Sequence, residues 1–187
     1  MSCNLTGNID KECKNLQGGV DKVYLFPFVK YSRSQIGIDN QYLDTFPTTT
    51  IYDVYSNATH YSENTEIEGG DVAWNQSFTI QIPKTNAGSE IYKLVKQDYR
   101  AIYIDRLNNI RILGLYNGLE AQITNETAQD KAGFNGYKVT FTGKEDNQAY
   151  FLRDLEDVGF TINNNNNYIF QDGLNYIFQD GTNYIFN

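Results

Sequence analysis

Apolar and polar residues alternate with a period of two from Val72 to Ile82. Trp74, Gln76, Phe78, Ile80 and Ile82 fall on one face, and Asn75, Ser77, Thr79 and Gln81 on the other. That is the signature of an antiparallel strand buried on one side. The alternation returns after the turn-forming Asn135-Gly136, where Tyr137, Val139 and Phe141 interleave with Lys138, Thr140 and Thr142 until Gly143 closes the strand. Lys22 to Lys30 is more continuously apolar (Val23, Tyr24, Leu25, Phe26, Phe28, Val29), and Pro27 within it predicts an edge position or a bulge. Ile51 to Tyr61 reads as one further strand, with Ile51, Val54 and Tyr55 among Asp53, Ser56 and Asn57, whereas Ser32 to Thr50 is polar and loop-like. Tyr99 to Asp105 and Ile110 to Tyr116 predict a hairpin across Leu107-Asn108-Asn109, and Asn117-Gly118 a second hairpin-type turn into Leu119 to Thr124.

A single helix is expected, from Glu90 to Lys96 with Ser89 as N-cap, because Ile91, Leu94 and Val95 at i, i+3 and i+4 form one apolar stripe. Asn147 to Leu155 reads as a connector. These elements sum to a mainly β protein, an antiparallel β-sandwich or barrel with one packed α-helix, followed by a C-terminal β-strand repeat tail. The expected organisation is an N-terminal arm over 1–22, a β-sandwich/barrel domain over 23–158, and an Asn-rich linker with the repeat tail over 159–187. Trp74, Phe78, Ile80, Ile91, Leu94, Val139 and Phe141 are the expected core.

The tail carries the strongest local pattern. After the run Asn163 to Asn167, the octad Asn-Tyr-Ile-Phe-Gln-Asp-Gly-x recurs, so that Tyr168, Tyr176 and Tyr184, Ile169, Ile177 and Ile185, and Phe170, Phe178 and Phe186 stand eight residues apart. Each unit has three β-favouring residues, and Asp-Gly turns separate successive units. None can cover its own apolar side chains, which makes these nine residues the candidates for an assembly interface. Residues 1–22, 32–50 and 160–187 are the wider candidates for contact between copies. Calcium-binding β-rolls use a nine-residue period richer in Gly and Asp, so the octad does not fit them.

Composition narrows the function. The net charge of −8 and pI near 4.6 argue against general affinity for nucleic acid. The 15 Tyr and 11 Phe favour strands and interfaces. No signal-peptide-like apolar region or membrane-length apolar run is seen, so folding in a cytoplasm without membrane insertion is expected. There Cys3 and Cys13 are expected as unpaired thiols. His60 is the only histidine, no phosphate-cradling glycine loop occurs, and no Gly-x-Ser-x-Gly elbow exists. Glu63, Glu66, Glu68 and Asp71, and separately Glu145, Asp146, Asp154, Glu156 and Asp157, read as solvated acidic loops rather than as a metal or glycosidase site. A non-enzymatic protein without cofactors is expected.

The stretch from Tyr99 to Glu120, followed by Asn135-Gly-Tyr-Lys-Val-Thr-Phe-Thr-Gly-Lys-Glu145, resembles virion structural proteins of tailed bacteriophages, closest to tail-tube-like subunits of phages with Bacteroidetes hosts. The opening Cys3-Asn-Leu-Thr-Gly and Gly18-Gly-Val-Asp-Lys-Val-Tyr24 resemble the same group. The resemblance implies a homo-oligomer, a hexameric ring around a channel through which DNA passes without specific binding, in contact with other virion proteins. It also implies assembly in the host cytoplasm and residence in the virion. The alternative function is a capsid- or tail-surface decorating, adhesin-like module whose aromatic octads recognise a host surface or carbohydrate.

Overall fold

A computed structural model describes residues 19–56, 58–68, 70–84, 91–127, 133–163, 176–177 and 183–184. Eight strands form the larger sheet: β1 (Val20–Pro27), β2 (Gly37–Asp39), β3 (Tyr42–Thr45), β4 (Thr49–Asp53), β7 (Tyr99–Asp105), β8 (Ile110–Leu113), β11 (Tyr150–Leu152) and β12 (Phe160–Ile162), in the order β12-β4-β1-β7-β8-β11-β3-β2. Strands β3 and β4 stand seventh and second in that order, yet only Phe46-Pro47-Thr48 joins them. Three linking residues reach ~14 Å when extended, whereas five strand spacings in a flat sheet span ~24 Å. The sheet must therefore curl towards closure.

The curl encloses one core, in which Tyr24, Phe26, Leu43, Ile102, Ile112 and Phe160 meet. Phe46 and Phe160 stack there at 4.9 Å, and Phe26 packs against both. The lid is the short helix α1 (Leu155–Val158), capped by the Asp154 carboxylate, which accepts from the Glu156 and Asp157 amides. Its chain reverses at Gly159, where φ is 116° and a Cβ would stand 2.4 Å from the Phe46 carbonyl oxygen; only glycine fits.

The smaller sheet is a four-stranded antiparallel layer, β5 (Ala58–Glu68), β6 (Asp71–Pro83), β10 (Asn135–Glu145) and β9 (Glu120–Thr127), in the order β5-β6-β10-β9. Phe78, Ile80, Val139 and Phe141 on its inner face pack on Val23, Leu25, Ala101, Tyr103 and Leu113 of the curled sheet. Strands β1, β7 and β8 are thus buried on both faces, which is why Val23-Tyr24-Leu25-Phe26 shows no alternation. The molecule is a sandwich whose one layer is itself rolled up.

Several expectations are corrected. Pro27 marks no edge: β1 lies between β4 and β7, Pro27 is its last residue, and the register shift falls at Val20/Lys22. Ser32 to Thr50 is not a loop but holds a 3₁₀ turn (Arg33–Gln35), β2, β3 and the start of β4; Asn40, at φ 56°, makes the turn between β2 and β3. Ile51 to Tyr61 is two strands in two different sheets, β4 ending at Asp53 and β5 beginning at Ala58. The hairpin over Leu107-Asn108-Asn109 is present, with Asn108 at φ 61°, but Asn117-Gly118 carries the chain from one sheet to the other instead of closing a hairpin. Strand β10 continues through Gly143 to Glu145.

The apolar stripe after Ser89 forms Ile91 and a 3₁₀ turn, Tyr92–Lys96. Ile91 is buried and Leu94 half-buried, but Val95 faces solvent. The Asn147 to Leu155 stretch contains β11 and opens α1. Ser89 and Glu90 lie outside the described residues. Of the expected core, Phe78, Ile80, Ile91, Val139 and Phe141 are buried, while Trp74 is only half-buried.

Candidate functional site

Among the described residues, β5 pairs only with β6 and β9 only with β10, so both outer strands of the four-stranded sheet present free backbone groups. β5 has 11 residues and β9 has 8, long for unprotected edges. Four antiparallel strands leave the two edges running in opposite directions. The β5–β6 hairpin also overshoots its neighbour: β6 meets β10 only as far as Trp74, so Asp71–Ala73 and Glu66–Glu68 pair only with each other. At this tip Ile67 and Val72 stand opposite one another, 76% and 50% exposed.

A seam of buried polar groups holds β5 against the curled sheet. Glu63 Oε1 accepts from Gln76 Nε2 at 3.0 Å and from the Ala149 amide at 2.8 Å. Gln76 Oε1 accepts from the Gly114 amide at 2.9 Å. At the last pairing of β10 with β6, opposite Trp74, Glu145 Oε1 accepts from the Tyr116 and Asn117 amides. Burial raises the Glu145 carboxyl above its usual range, against the lowering effect of those two amides. Beside the seam, Tyr61 of β5 rests on Tyr103 with ring centroids 5.0 Å apart. Burial pushes the Tyr103 hydroxyl up to about 12, and burial and then Glu63 push Tyr61 further still.

Among the described residues Arg100 is the most deeply buried charge, at 1% exposure within the curl. Its Nε donates to the Leu115 carbonyl and its Nη2 to the Val29 carbonyl, while Nη1 has no partner among the described residues. Phe28, Phe46 and Tyr31 rings lie 4.3, 5.3 and 5.4 Å from the guanidinium carbon. Desolvation lowers its pKa to about 10, and it stays charged at neutral pH. It ties the segment after β1 to the segment after β8 and so fixes where the chain crosses towards β9.

At the other edge, Ala121 and Ile123 of β9 turn inwards onto the core, and the 3₁₀ turn Tyr92–Lys96 flanks them. The outward face of the sheet bears Ser62 and Asn64, Ser77 and Thr79, Thr140 and Thr142, and Gln122 and Thr124, with Thr79 and Thr140 hydroxyls 3.2 Å apart. A recess of about 250 Å³ on this face is lined by Ala58, Thr59, His60, Thr79, Gln81 and Lys138. It brings one imidazole, His60, to the same recess as one lysine, Lys138.

Most of the acidic residues are solvent-exposed as expected, but several stand on strands or on α1 instead of in loops, and Glu145 is buried. Glu63 and Glu66 lie on β5, Glu66 pairs with Lys144 at 3.2 Å and with Asn75, Asp146 pairs with Arg33, and Asp154 caps α1. No group of three His, Cys, Asp or Glu side chains that could hold a metal occurs among the described residues. None of their helices is long and apolar enough to cross a membrane, which says nothing of strands.

Of the candidate interface residues, Tyr176 and Ile177 form β13 and Tyr184 belongs to β14 (Asn183–Tyr184), an antiparallel pair with Tyr176 opposite Tyr184. Tyr168, Ile169, Phe170, Phe178, Ile185 and Phe186, like Cys3 and Cys13, lie outside the described residues. Sequence reasoning misses the free edges β5 and β9; Gly69-Gly70 signals a turn after one strand, but not which strands lack a neighbour. No protein-family model matches this chain, and searches of curated proteins and of solved structures found no match. The fold and its edges define a mainly β protein with a curled sheet and a second sheet on top of it.

Proposed function

We propose that the protein is a virion structural subunit of a tailed bacteriophage, of the tail-tube type, and that its copies join β5 of one to β9 of the next. The observation that carries this reading is the pair of long open edges, opposite in direction, on one sheet. Because β5 and β9 are antiparallel, the joint between copies continues the same antiparallel ladder. The contact is heterologous, so repetition produces a ring if the rotation closes. Each joint supplies the main-chain hydrogen bonds that both edges lack.

The outward face would then line the bore. Its hydroxyls and amides (Ser62, Ser77, Thr79, Thr140, Gln122, Thr124) lie among Glu66, Glu120, Glu126, Lys138 and Lys144, a face without a positive excess to retain DNA. The octad tail, in which β13 and β14 pair antiparallel, is a second surface for neighbouring virion proteins or copies.

The test uses charge on exposed positions of both edges. Lysines at all four of Ser62, Asn64, Gln122 and Thr124 place like charges across every joint, and rings vanish in negative-stain micrographs and in sedimentation. Lysines at Ser62 and Asn64 with glutamates at Gln122 and Thr124 keep them. Rings that persist in the all-lysine variant, or wild-type protein that stays monomeric at every concentration, overturn the proposal.

A further inference from the structure

A row of cationic and aromatic side chains crosses the curled sheet and runs out beyond the edge of the smaller one. Strand register aligns Tyr103 of β7, Arg111 of β8, Phe151 of β11 and Tyr42 of β3. All four point to the side that carries the smaller sheet, since Tyr103 and Leu113 of that face belong to the core between the layers and the intervening Ile112 and Leu152 belong to the core inside the curl. The smaller sheet ends above Tyr103, where Tyr61 of β5 touches it. Past that point Arg111 lies 4.1 Å from the Phe151 ring centroid, Phe151 and Tyr42 rings are 5.7 Å apart, and Arg153 stands 5.2 Å from Tyr42. Tyr42 is 39% exposed. Burial of the domain's own core does not account for these rings.

A second uncovered patch flanks the opposite edge. Tyr92 and Val95 of the 3₁₀ turn are each about half exposed, and the turn packs beside β9 on the side facing the curled sheet, with Ile91 in the core between the layers. The row thus borders β5, the turn borders β9, and both occupy the same inner layer.

We infer that the row Arg111–Phe151–Tyr42 is the docking surface for the 3₁₀ turn Tyr92–Lys96 of a second copy of this chain. This rests on the proposed joining of β5 to β9 and deepens it: the sheet edges meet in one layer while the turn of one copy packs on the row of the next in the layer behind. Continuity decides the occupant, because a copy whose β9 extends β5 carries its turn towards the row. The levels along the strands give the stagger. Tyr61, on Tyr103, lies in line with Phe78, Phe141 and Ala121, whereas Tyr92 rests on Tyr137, four residues away along β10. Bringing Tyr92 of one copy level with the row of the next therefore shifts the joint by ~13 Å. Shear of this kind is what closing a tilted sheet into a barrel requires. Tyr92 then stacks on Phe151 and Tyr42, and Val95 covers the Tyr42 ring.

The experiment is thiol cross-linking in full-length protein with Cys3→Ser and Cys13→Ser. Val95→Cys and Tyr42→Cys chains are mixed and treated with a short bis-maleimide. The expected product is a covalent dimer containing one chain of each kind, absent when either variant is treated alone; a chain carrying both cysteines gives a ladder of covalent oligomers. Cross-linking of Tyr42→Cys to itself means a two-fold contact and overturns the inference, as does the absence of a mixed dimer in preparations whose micrographs contain rings. In the all-lysine edge variant the mixed dimer falls at least tenfold. Rings without the mixed dimer remove this inference alone, whereas a monomeric wild type removes the β5–β9 joint as well.

Discussion

The two sheets bury themselves differently. In the curled sheet, β1, β7 and β8 are covered on both faces, by the smaller sheet outside and by their own sheet's interior inside. In the smaller sheet, β6 and β10 are covered on one face and show the other to solvent, and β5 and β9 additionally leave an edge open. The first region covers its own interior and leaves only the Arg111–Phe151–Tyr42 row uncovered beyond the smaller sheet; the second has unfinished valences along two whole strands. Stability should therefore reside in the curl, and association in the layer upon it and the row beside it.

The largest effect expected is in the curl. Phe26→Ala removes a ring with no exposure from a site bounded by Phe46 and Phe160, and denaturant titration should show a loss of about 3–5 kcal/mol. Thr140→Ala on the outward face, which gives up the Thr79 hydroxyl contact and some strand preference, should cost no more than about 1 kcal/mol. Equal losses at the two positions would erase the distinction between the layers.

Titration sharpens it further. Burial holds the Tyr103 hydroxyl at about 12, above the tyrosine reference of 10.0, so its contribution to stability is intact below pH 10 and is lost as pH rises through 12. Tyr103→Phe should flatten that alkaline fall in a pH series of melting temperatures, leaving the part due to Tyr61. Glu145 has the same sign at lower pH. Its raised carboxyl favours the folded state below the ordinary glutamate value of 4.5, and that advantage disappears as pH rises above it. Glu145→Gln keeps an oxygen to accept from the Tyr116 and Asn117 amides. It should therefore be at least as stable as the native chain at pH 7 and should lack that decline.

The smallest effect belongs to Glu66, on the exposed part of β5. Asn75 and Lys144 lower its pKa, so its contribution is present above the ordinary glutamate range and fades as pH falls. Glu66→Gln should barely change unfolding at pH 7, and any difference should vanish in acid and shrink in salt.

The same contrast explains which parts of the fold could be read from the chain. β6 and β10 announce themselves because one buried face imposes alternation, and Phe78, Ile80, Val139 and Phe141 follow from it. The curled sheet hides its smaller strands. β2, β3, β11 and β12 run three or four residues each, too short for a period to register. Leu43 and Phe160 are buried by closure of the sheet, a long-range event with no local signature. Arg100 has no local signal of burial and becomes internal only because Phe28, Tyr31 and Phe46 assemble around it. The open edges are still less legible. An edge is defined by what does not pair with it, and the 11 residues of β5 look like any hairpin strand until the sheet order is known.

The most direct measurement is a cryo-electron microscopy reconstruction of the purified, assembled protein at a resolution that separates strands. Joining of copies through the smaller sheet predicts density for β9 of one copy running antiparallel to β5 of the next, at the strand spacing of about 4.8 Å. Rings held together by other surfaces, with β5 and β9 both facing solvent, would contradict it.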